Sequence, residues 1–307
     1  MMLYDLPAPA KLNLFLHVVG RRDDGYHLLE TLFRMISLSD SISIDLATGP
    51  SISRETNLNE LLDEQDDLVV RAARALQKVT GSRLGAHISV NKRIPVGGGL
   101  GGGSSDAATV LIGLNRLWRC NLNRTQLMQI GISLGADVPF FLFGQSAFAQ
   151  GVGEVLTPVA LTSQSYLVIE PRQSVTTQSA FSDPDLTRQS ERVKITDFSG
   201  VGSLVRKTPY GFGKNDLQPV VFRQYPVVLA AFNWLNQSGF ETRLTGSGGC
   251  LFSEYVTPNE ALKARHVLLA MMSGNKAHAE SGMASPISNV FACDGYAEHP
   301  LRHWVND

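Results

Sequence analysis

The sequence predicts an α+β protein of two domains that meet near residue 160 and are built on mixed or antiparallel sheets. Three observations predict it. Alternating strand patterns open the chain and return between helical stretches. After about Leu161 the pattern changes, and polar segments begin to separate the elements. The chain's 307 residues exceed the ~100–200 that one domain commonly spans.

Lys11 to Val18 alternates strictly, predicting a strand with Leu12, Leu14, Leu16 and Val18 on the core face and Lys11, Asn13, Phe15 and His17 opposite. Asp23-Asp24-Gly25 predicts a hairpin turn, followed by strands near Glu30–Ser37 and Ser41–Leu46. Asp66 or Asp67 caps a helix to about Val79, which Gly81 stops. Ala86–Lys92 reads as a strand, residues 104–118 as a helix, and Asn123 caps the next, ended by Gly135. Strands follow at Ser146–Gly151 and Tyr166–Glu170. The second half predicts helices near Asn215–Gln224 and Val227–Gln237, a strand, glycine turn and strand over Glu241–Ser253, and a helix near Pro258–Met272. Ser273–Ala284 reads as a loop and Ser288–Cys293 as a last strand.

Composition narrows the class. An apolar fraction of 43% excludes a disordered chain, and a net charge of −1 carries no footprint for nucleic acid or an anionic membrane. The acids Glu55, Glu60, Asp63, Glu64, Asp66 and Asp67 read as a solvated loop. No apolar run approaches the ~20 residues of a membrane-spanning helix. The start Met1-Met2-Leu3-Tyr4 shows no secretory pattern, so the expectation is a cytoplasmic protein. Cys120, Cys250 and Cys293 are too few and too far apart for a disulfide framework or a zinc site, and no structural metal is expected.

The densest signal is Pro95-Val96-Gly97-Gly98-Gly99-Leu100-Gly101-Gly102-Gly103-Ser104-Ser105, with six glycines in seven positions. Glycine lets successive N–H groups converge on one point, and a following helix adds its free N–H groups and dipole. The pattern predicts a polyphosphate cradle. A linker would not sit between a strand and a capped helix. Gly97, Gly99 and Gly102 satisfy a dinucleotide fingerprint, but the preceding strand is amphipathic and asparagines stand near residue 122 where an acid belongs. No Gly-Lys-Ser/Thr closes the run, so it is not a Walker loop. Asp137, in the apolar stretch Gly135–Phe141, reads as a paired functional carboxylate or as a turn or capping residue. Lys11 reads as a functional cation or as an exposed strand-edge lysine.

Taken together, the motifs resemble the isoprenoid-pathway branch of the GHMP kinases over essentially the whole chain. Pro9-Ala10-Lys11-Leu12-Asn13 through Gly25-Tyr26-His27 resembles their first motif, Pro95–Ala107 their phosphate loop, and Leu244-Thr245-Gly246-Ser247-Gly248-Gly249-Cys250 their third. Gly135–Phe141 and His299-Pro300-Leu301 fit as well. The resemblance implies a ribosomal-S5-like N-terminal domain (1–160) for ATP and catalysis, and a ferredoxin-like α/β sandwich (161–307) contributing to substrate binding. It implies ATP as phosphoryl donor, with Mg2+ held by unknown ligands, and a cytidine diphosphate methylerythritol as the alcohol. Asp137 is then the base and Lys11 its ion partner. ATP falls to Pro95, Gly97, Gly98, Gly99, Leu100, Gly101, Gly102, Gly103, Ser104 and Ser105. The substrate falls to Asn13, Tyr26, His27, Phe33, Thr177 and Phe181, with Tyr26 and Phe181 stacking on the cytosine ring. The turn at Thr245, Gly246, Ser247 and Gly248 either braces the phosphate loop or approaches the substrate diphosphate. Asp67 stands where the family usually carries an asparagine near the nucleotide base. The rivals are another GHMP kinase, of homoserine or mevalonate type, and a nucleotide-binding regulator without turnover.

Overall fold

The computed structural model describes residues 2–58, 66–193, 213–274 and 285–307. Parts of the polar stretches expected at 188–196 and 200–214, the acids Glu60, Asp63 and Glu64, and most of the loop expected at 273–284 lie outside the described residues.

Two sheets organise the chain. The first contains β1 (Met2–Arg21), β2 (His27–Ala47), β3 (Ile52–Thr56), β4 (Gly85–Asn91), β5 (Ala147–Gln150) and β6 (Val155–Pro158). All its pairs are antiparallel except β3 with β4. The second runs in the order β10 (Ile287–Asp294), β7 (Ser165–Pro171), β9 (Leu251–Tyr255) and β8 (Arg243–Leu244), antiparallel throughout. Helices α1 (Leu68–Thr80), α2 (Gly102–Leu117), α3 (Arg124–Ile132) and α4 (Val138–Phe143) belong to the first half. The second half carries α5 (Thr177–Ser182), α6 (Gln218–Gln224), α7 (Pro226–Gln237) and α8 (Pro258–Gly274). This is the α+β class that the strand and helix patterns predicted.

The predicted hairpin forms, but its strands are far longer than expected. β1 begins at Met2 and runs through Pro7 and Pro9, which pair with Ser41 and Ser39 beside a register shift. The expected strands at 30–37 and 41–46 are one strand, β2, whose two ends pair with β5 and β4. A further bulge falls between Asn13 and Leu16. Bulges bend a strand and re-aim its side chains, here beside Lys11 and Asn13.

β1 is covered on both faces, which corrects the expectation of a single core face. Leu12 and Ala10 pack with Leu100, Tyr166, Val168 and Phe252, while Leu16 and Val18 join the core of the second half. On the other face Phe15 packs with Leu32 and Phe148. Lys11 and Asn13 are buried there as well, because they satisfy each other's polar atoms. The main core lies between the first sheet and α1, α2, α3 and α4. The chain's last residues return to it through Leu301 and Val305.

Local chemistry explains the helix ends near the site. Asp67 caps α1 by accepting from Val69 N–H (2.8 Å), and Gly81 closes it in the left-handed conformation. Asn123 and Gln126 form a capping box on α3. Helix α2 starts at Gly102, two residues before the expected Ser104, with Gly101 at φ +72° as its cap. Ser104 and Ser105 therefore lie inside the first turn and do not cap it. Among the described residues no helix is long and apolar enough to cross a membrane.

Candidate active site

The glycine-rich loop links β4 to α2 and packs backbone against backbone on the turn between β8 and β9. Gly249 N–H donates to Gly97 O (3.2 Å) and Cys250 N–H to Gly98 O (3.2 Å). A Cβ on Gly248 would stand 1.8 Å from the Gly99 nitrogen, and one on Gly99 would stand 2.4 Å from Thr245 O. Only glycine permits this approach. Gly97, Gly99 and Gly101 all have positive φ, the alternation that turns successive N–H groups towards one side. Since Ser105 N–H makes the first helical bond, to Gly101 O, the N–H groups of Gly102, Gly103 and Ser104 open α2 ahead of its ladder. Ser104 is half-buried and Ser105 is buried.

Lys11 is tied to this loop through its own N–H, which donates to Leu100 O (2.9 Å). Its ammonium donates to Asn13 Oδ1 (2.6 Å), lies 3.4 Å from Asp137 Oδ2 and sits 5.0 Å above the centre of the Phe33 ring. The residue is 4% exposed, so it is no strand-edge lysine. Asp137 precedes α4 but makes no capping bond, and its side chain keeps 31% of its surface. A carboxylate that is paired, open on one side and unused by the helix can take a proton from an incoming hydroxyl.

Asn13 links the motifs. Its N–H donates to Thr245 Oγ1 (2.9 Å) and its Nδ2 to Thr31 Oγ1 (2.8 Å). Ser247 Oγ donates to Thr177 Oγ1 (2.8 Å), which draws α5 to the same turn. The contacts of Thr245, Gly246, Ser247 and Gly248 run to the glycine-rich loop, Asn13 and α5.

At the far end, His27 and Phe181 meet with ring centres 5.3 Å apart. Tyr26 stands 64% exposed beside them on the hairpin. Phe33 does not join this group. It is 2% exposed, packed 4.7 Å from Phe140 and roofed by Lys11, so its ring has no open face for a base. Its place in the Lys11 support corrects the expectation that it lines the base pocket. Arg188, with no local signal in the sequence, donates from Nε to His27 Nε2 (3.2 Å). Burial, then Arg188 and Arg21, hold the His27 imidazole below its ordinary value.

Two further groups support the phosphate end. Asn215 Nδ2 donates to Leu244 O (3.0 Å) and Gly246 O (2.7 Å), holding the β8–β9 turn from behind. Lys92 pairs with both Asp40 and Asp106, the latter at 2.7 Å, while Asp40 accepts from Ile94 N–H (2.8 Å). These bonds join the strand before the loop to the helix after it. Burial lifts the Asp106 carboxyl to about 7, with Lys92 opposing the rise and Asp40 adding to it. An acid among the small residues Ser104-Ser105-Asp106-Ala107 was the available signal. Asp67 is committed to its cap and to Arg54, 2.9 Å away.

A glycine cradle opening a helix, held by a second glycine turn and facing a lysine–aspartate pair, defines a class of small-molecule kinases. Residues 67–145 match the family of GHMP kinases N terminal domains and 193–274 that of GHMP kinases C terminal domains. A relative from Bordetella bronchiseptica, a 4-diphosphocytidyl-2-C-methyl-D-erythritol kinase, is 54% identical, with 99% of each chain covered. A crystal structure of 4-(cytidine 5'-diphospho)-2C-methyl-D-erythritol kinase superposes with TM-score 0.74 at 31% identity, covering 96% of this chain and 99% of the other. A homoserine kinase from Cytophaga hutchinsonii (TM-score 0.69, 15% identity, covering 97% and 95%) shares the fold. The chain belongs to the 4-diphosphocytidyl-2-C-methyl-D-erythritol kinase family of GHMP kinases.

Proposed function

We infer that the protein is a cytoplasmic ATP-dependent kinase that phosphorylates the 2-hydroxyl of 4-diphosphocytidyl-2-C-methyl-D-erythritol, a step of the non-mevalonate route to isoprenoid precursors. The observation that carries this reading is the Lys11–Asp137 pair (3.4 Å), in which Lys11 stands on a strand whose backbone is bonded to the glycine-rich loop at Leu100.

The N–H groups of the loop and of the first turn of α2 receive the polyphosphate. The substrate hydroxyl oxygen forms the new bond to the γ-phosphorus while the bond to the bridging oxygen breaks and ADP leaves. Asp137 orients that hydroxyl and takes its proton late. Lys11, held by Asn13 and Asp137, sets a fixed positive charge beside the transferring group. Phosphoryl transfer depends mainly on such positioning and charge stabilisation. Mg2+ accompanies ATP, and phosphate oxygens with water can hold it; among the described residues no cluster of three or more His, Cys, Asp or Glu adds a protein cage. Residues 1–160 supply ATP binding and catalysis, and 161–307 contribute Thr177 and Phe181 to the substrate side. Tyr26, His27 and Phe181 take the cytosine.

The test is ADP release with the cytidine diphosphate substrate, run beside homoserine and mevalonate. Turnover on the first alone is expected. Turnover on homoserine or mevalonate, with none on the cytidine compound, overturns the reading.

A further inference from the structure

A neutral imidazole carries its proton on one nitrogen and offers a lone pair on the other, and the bond made by one nitrogen decides the role of its partner. At His27 that bond comes from Arg188, whose Nε lies 3.2 Å from Nε2. A guanidinium has donors and no acceptor, so Nε2 must present its lone pair and the proton must sit on Nδ1. Arg188 is itself anchored. Its terminal N–H groups donate to Asp183 O (2.7 Å), Pro184 O (3.1 Å) and Leu186 O (3.1 Å), the turn that follows Phe181 and α5. The carboxylate of Asp183 in turn binds Arg223 and Gln224 on α6. The turn therefore ties together the ring that packs against His27 and the cation that addresses its nitrogen.

The consequence concerns which base is accepted. Cytosine and uracil share a shape but differ at N3, which bears a lone pair in cytosine and a hydrogen in uracil. An Nδ1–H donor pairs with the first and meets the second hydrogen to hydrogen. The opposite tautomer reverses the preference. We propose that Arg188 is a positioning residue that locks His27 as an Nδ1–H donor and thereby makes the base end select cytosine over uracil. Without Arg188 the ring exchanges tautomers and the discrimination weakens. This inference rests on the kinase reading above, because it needs a cytidine nucleotide at His27.

The experiment uses the full chain labelled with 15N at histidine, with cytidine 5′-diphosphate and uridine 5′-diphosphate as probes. NMR of the unmutated protein should show a neutral His27 protonated at Nδ1 and bare at Nε2. The cytidine probe should bind at least about tenfold tighter than the uridine probe. Arg188→Met should lose about tenfold in cytidine affinity and most of the preference between the two. In turnover its loss should fall on KM more than on kcat, and Arg188→Lys, which still donates, should recover part of it. A ring protonated at Nε2, or an Arg188→Met protein that keeps the cytidine preference, overturns the proposal. Should Arg188→Met fail to fold, the tautomer measured in the unmutated protein decides alone. An unmutated protein that binds neither probe overturns the kinase reading itself, a result distinct from a preference that survives the loss of Arg188.

Discussion

At the phosphate end of the site backbone meets backbone: Gly97, Gly98 and Gly99 lie against Gly248, Gly249 and Cys250, and Asn215 and the Lys92 carboxylate pair hold the flanks. At the base end side chains meet side chains: Tyr26 is open, His27 leans on Phe181, and Arg188 reaches across from the following turn. A backbone lock leaves no room for substitution, but its geometry is independent of side-chain rotamers. That suits a step in which small displacements of the transferring group cost rate. A cluster of side chains can adjust to a ligand and be tuned residue by residue, which suits recognition. On the proposed reading, the same chain separates catalytic precision from specificity by the material it uses for each.

The largest effect should come at the phosphate end. Asp137→Asn keeps the shape beside Lys11 but removes the proton acceptor. We expect kcat to fall roughly a thousandfold, within the usual span for general bases, with ATP affinity little changed. Stopped reaction time courses with nucleotide-binding titrations check this, and near-normal turnover removes Asp137 from the role of base. Next comes Gly248→Ala, whose methyl would stand 1.8 Å from the Gly99 nitrogen and 2.1 Å from the Gly98 carbonyl carbon. The two segments must part, so kcat/KM for ATP should drop by about two orders of magnitude, while cytidine 5′-diphosphate affinity changes far less. Equal losses for both ligands would dissolve the distinction between the two ends.

The phosphate end was the more legible from sequence, for the same reason. Glycine density is a statement about backbone, so Gly97–Gly103 announced its conformation locally, as Asp67 and Gly81 announced α1. What failed locally was decided by distant partners. Pro7 and Pro9 argue against a strand, yet β1 runs through them because β2 and a bulge accommodate them. Helix α2 starts at Gly102, where no capping side chain marks it. Phe33 looked like a base contact, and only the fold shows Phe140 and Lys11 covering its ring. Arg188 and Asn215 carry no periodicity or motif, and their meaning lies in bonds spanning 161 and 31 positions of the chain.

A third test asks how the phosphate end is held from outside. His299 N–H donates to Gly144 O (2.9 Å) and Arg302 to Phe143 O (2.5 Å), so residues 299–302 grip the end of α4, the helix that follows Asp137. Burial, then Arg124, lowers the His299 imidazole to about 4, against 6.5 in the unfolded chain. For a base depressed in this way the unfolded state takes up the proton first. The stability is complete above pH 6.5 and is lost as pH falls from 6.5 towards 4, by about 3 kcal/mol at most. Urea unfolding across that window should show the slope in the unmutated protein and a flatter profile in His299→Gln. Equal slopes would mean that His299 does not set the acid limit of this end.

The smallest effect is expected at Tyr26. The side chain is 64% exposed before any ligand arrives, so Tyr26→Ala removes little packing and should leave the unfolding midpoint almost unchanged. Stacking on a base contributes ~1–3 kcal/mol, and an open ring that must be ordered on binding belongs at the lower end of that span. KM for the cytidine substrate should therefore rise about tenfold while kcat at saturation moves much less. Tyr26→Phe, which keeps the ring face, should recover most of the loss. If Tyr26→Ala instead lowers kcat as strongly as it raises KM, the base end positions the reacting hydroxyl as well as recognising the nucleotide, and the division between the two ends fails at that residue.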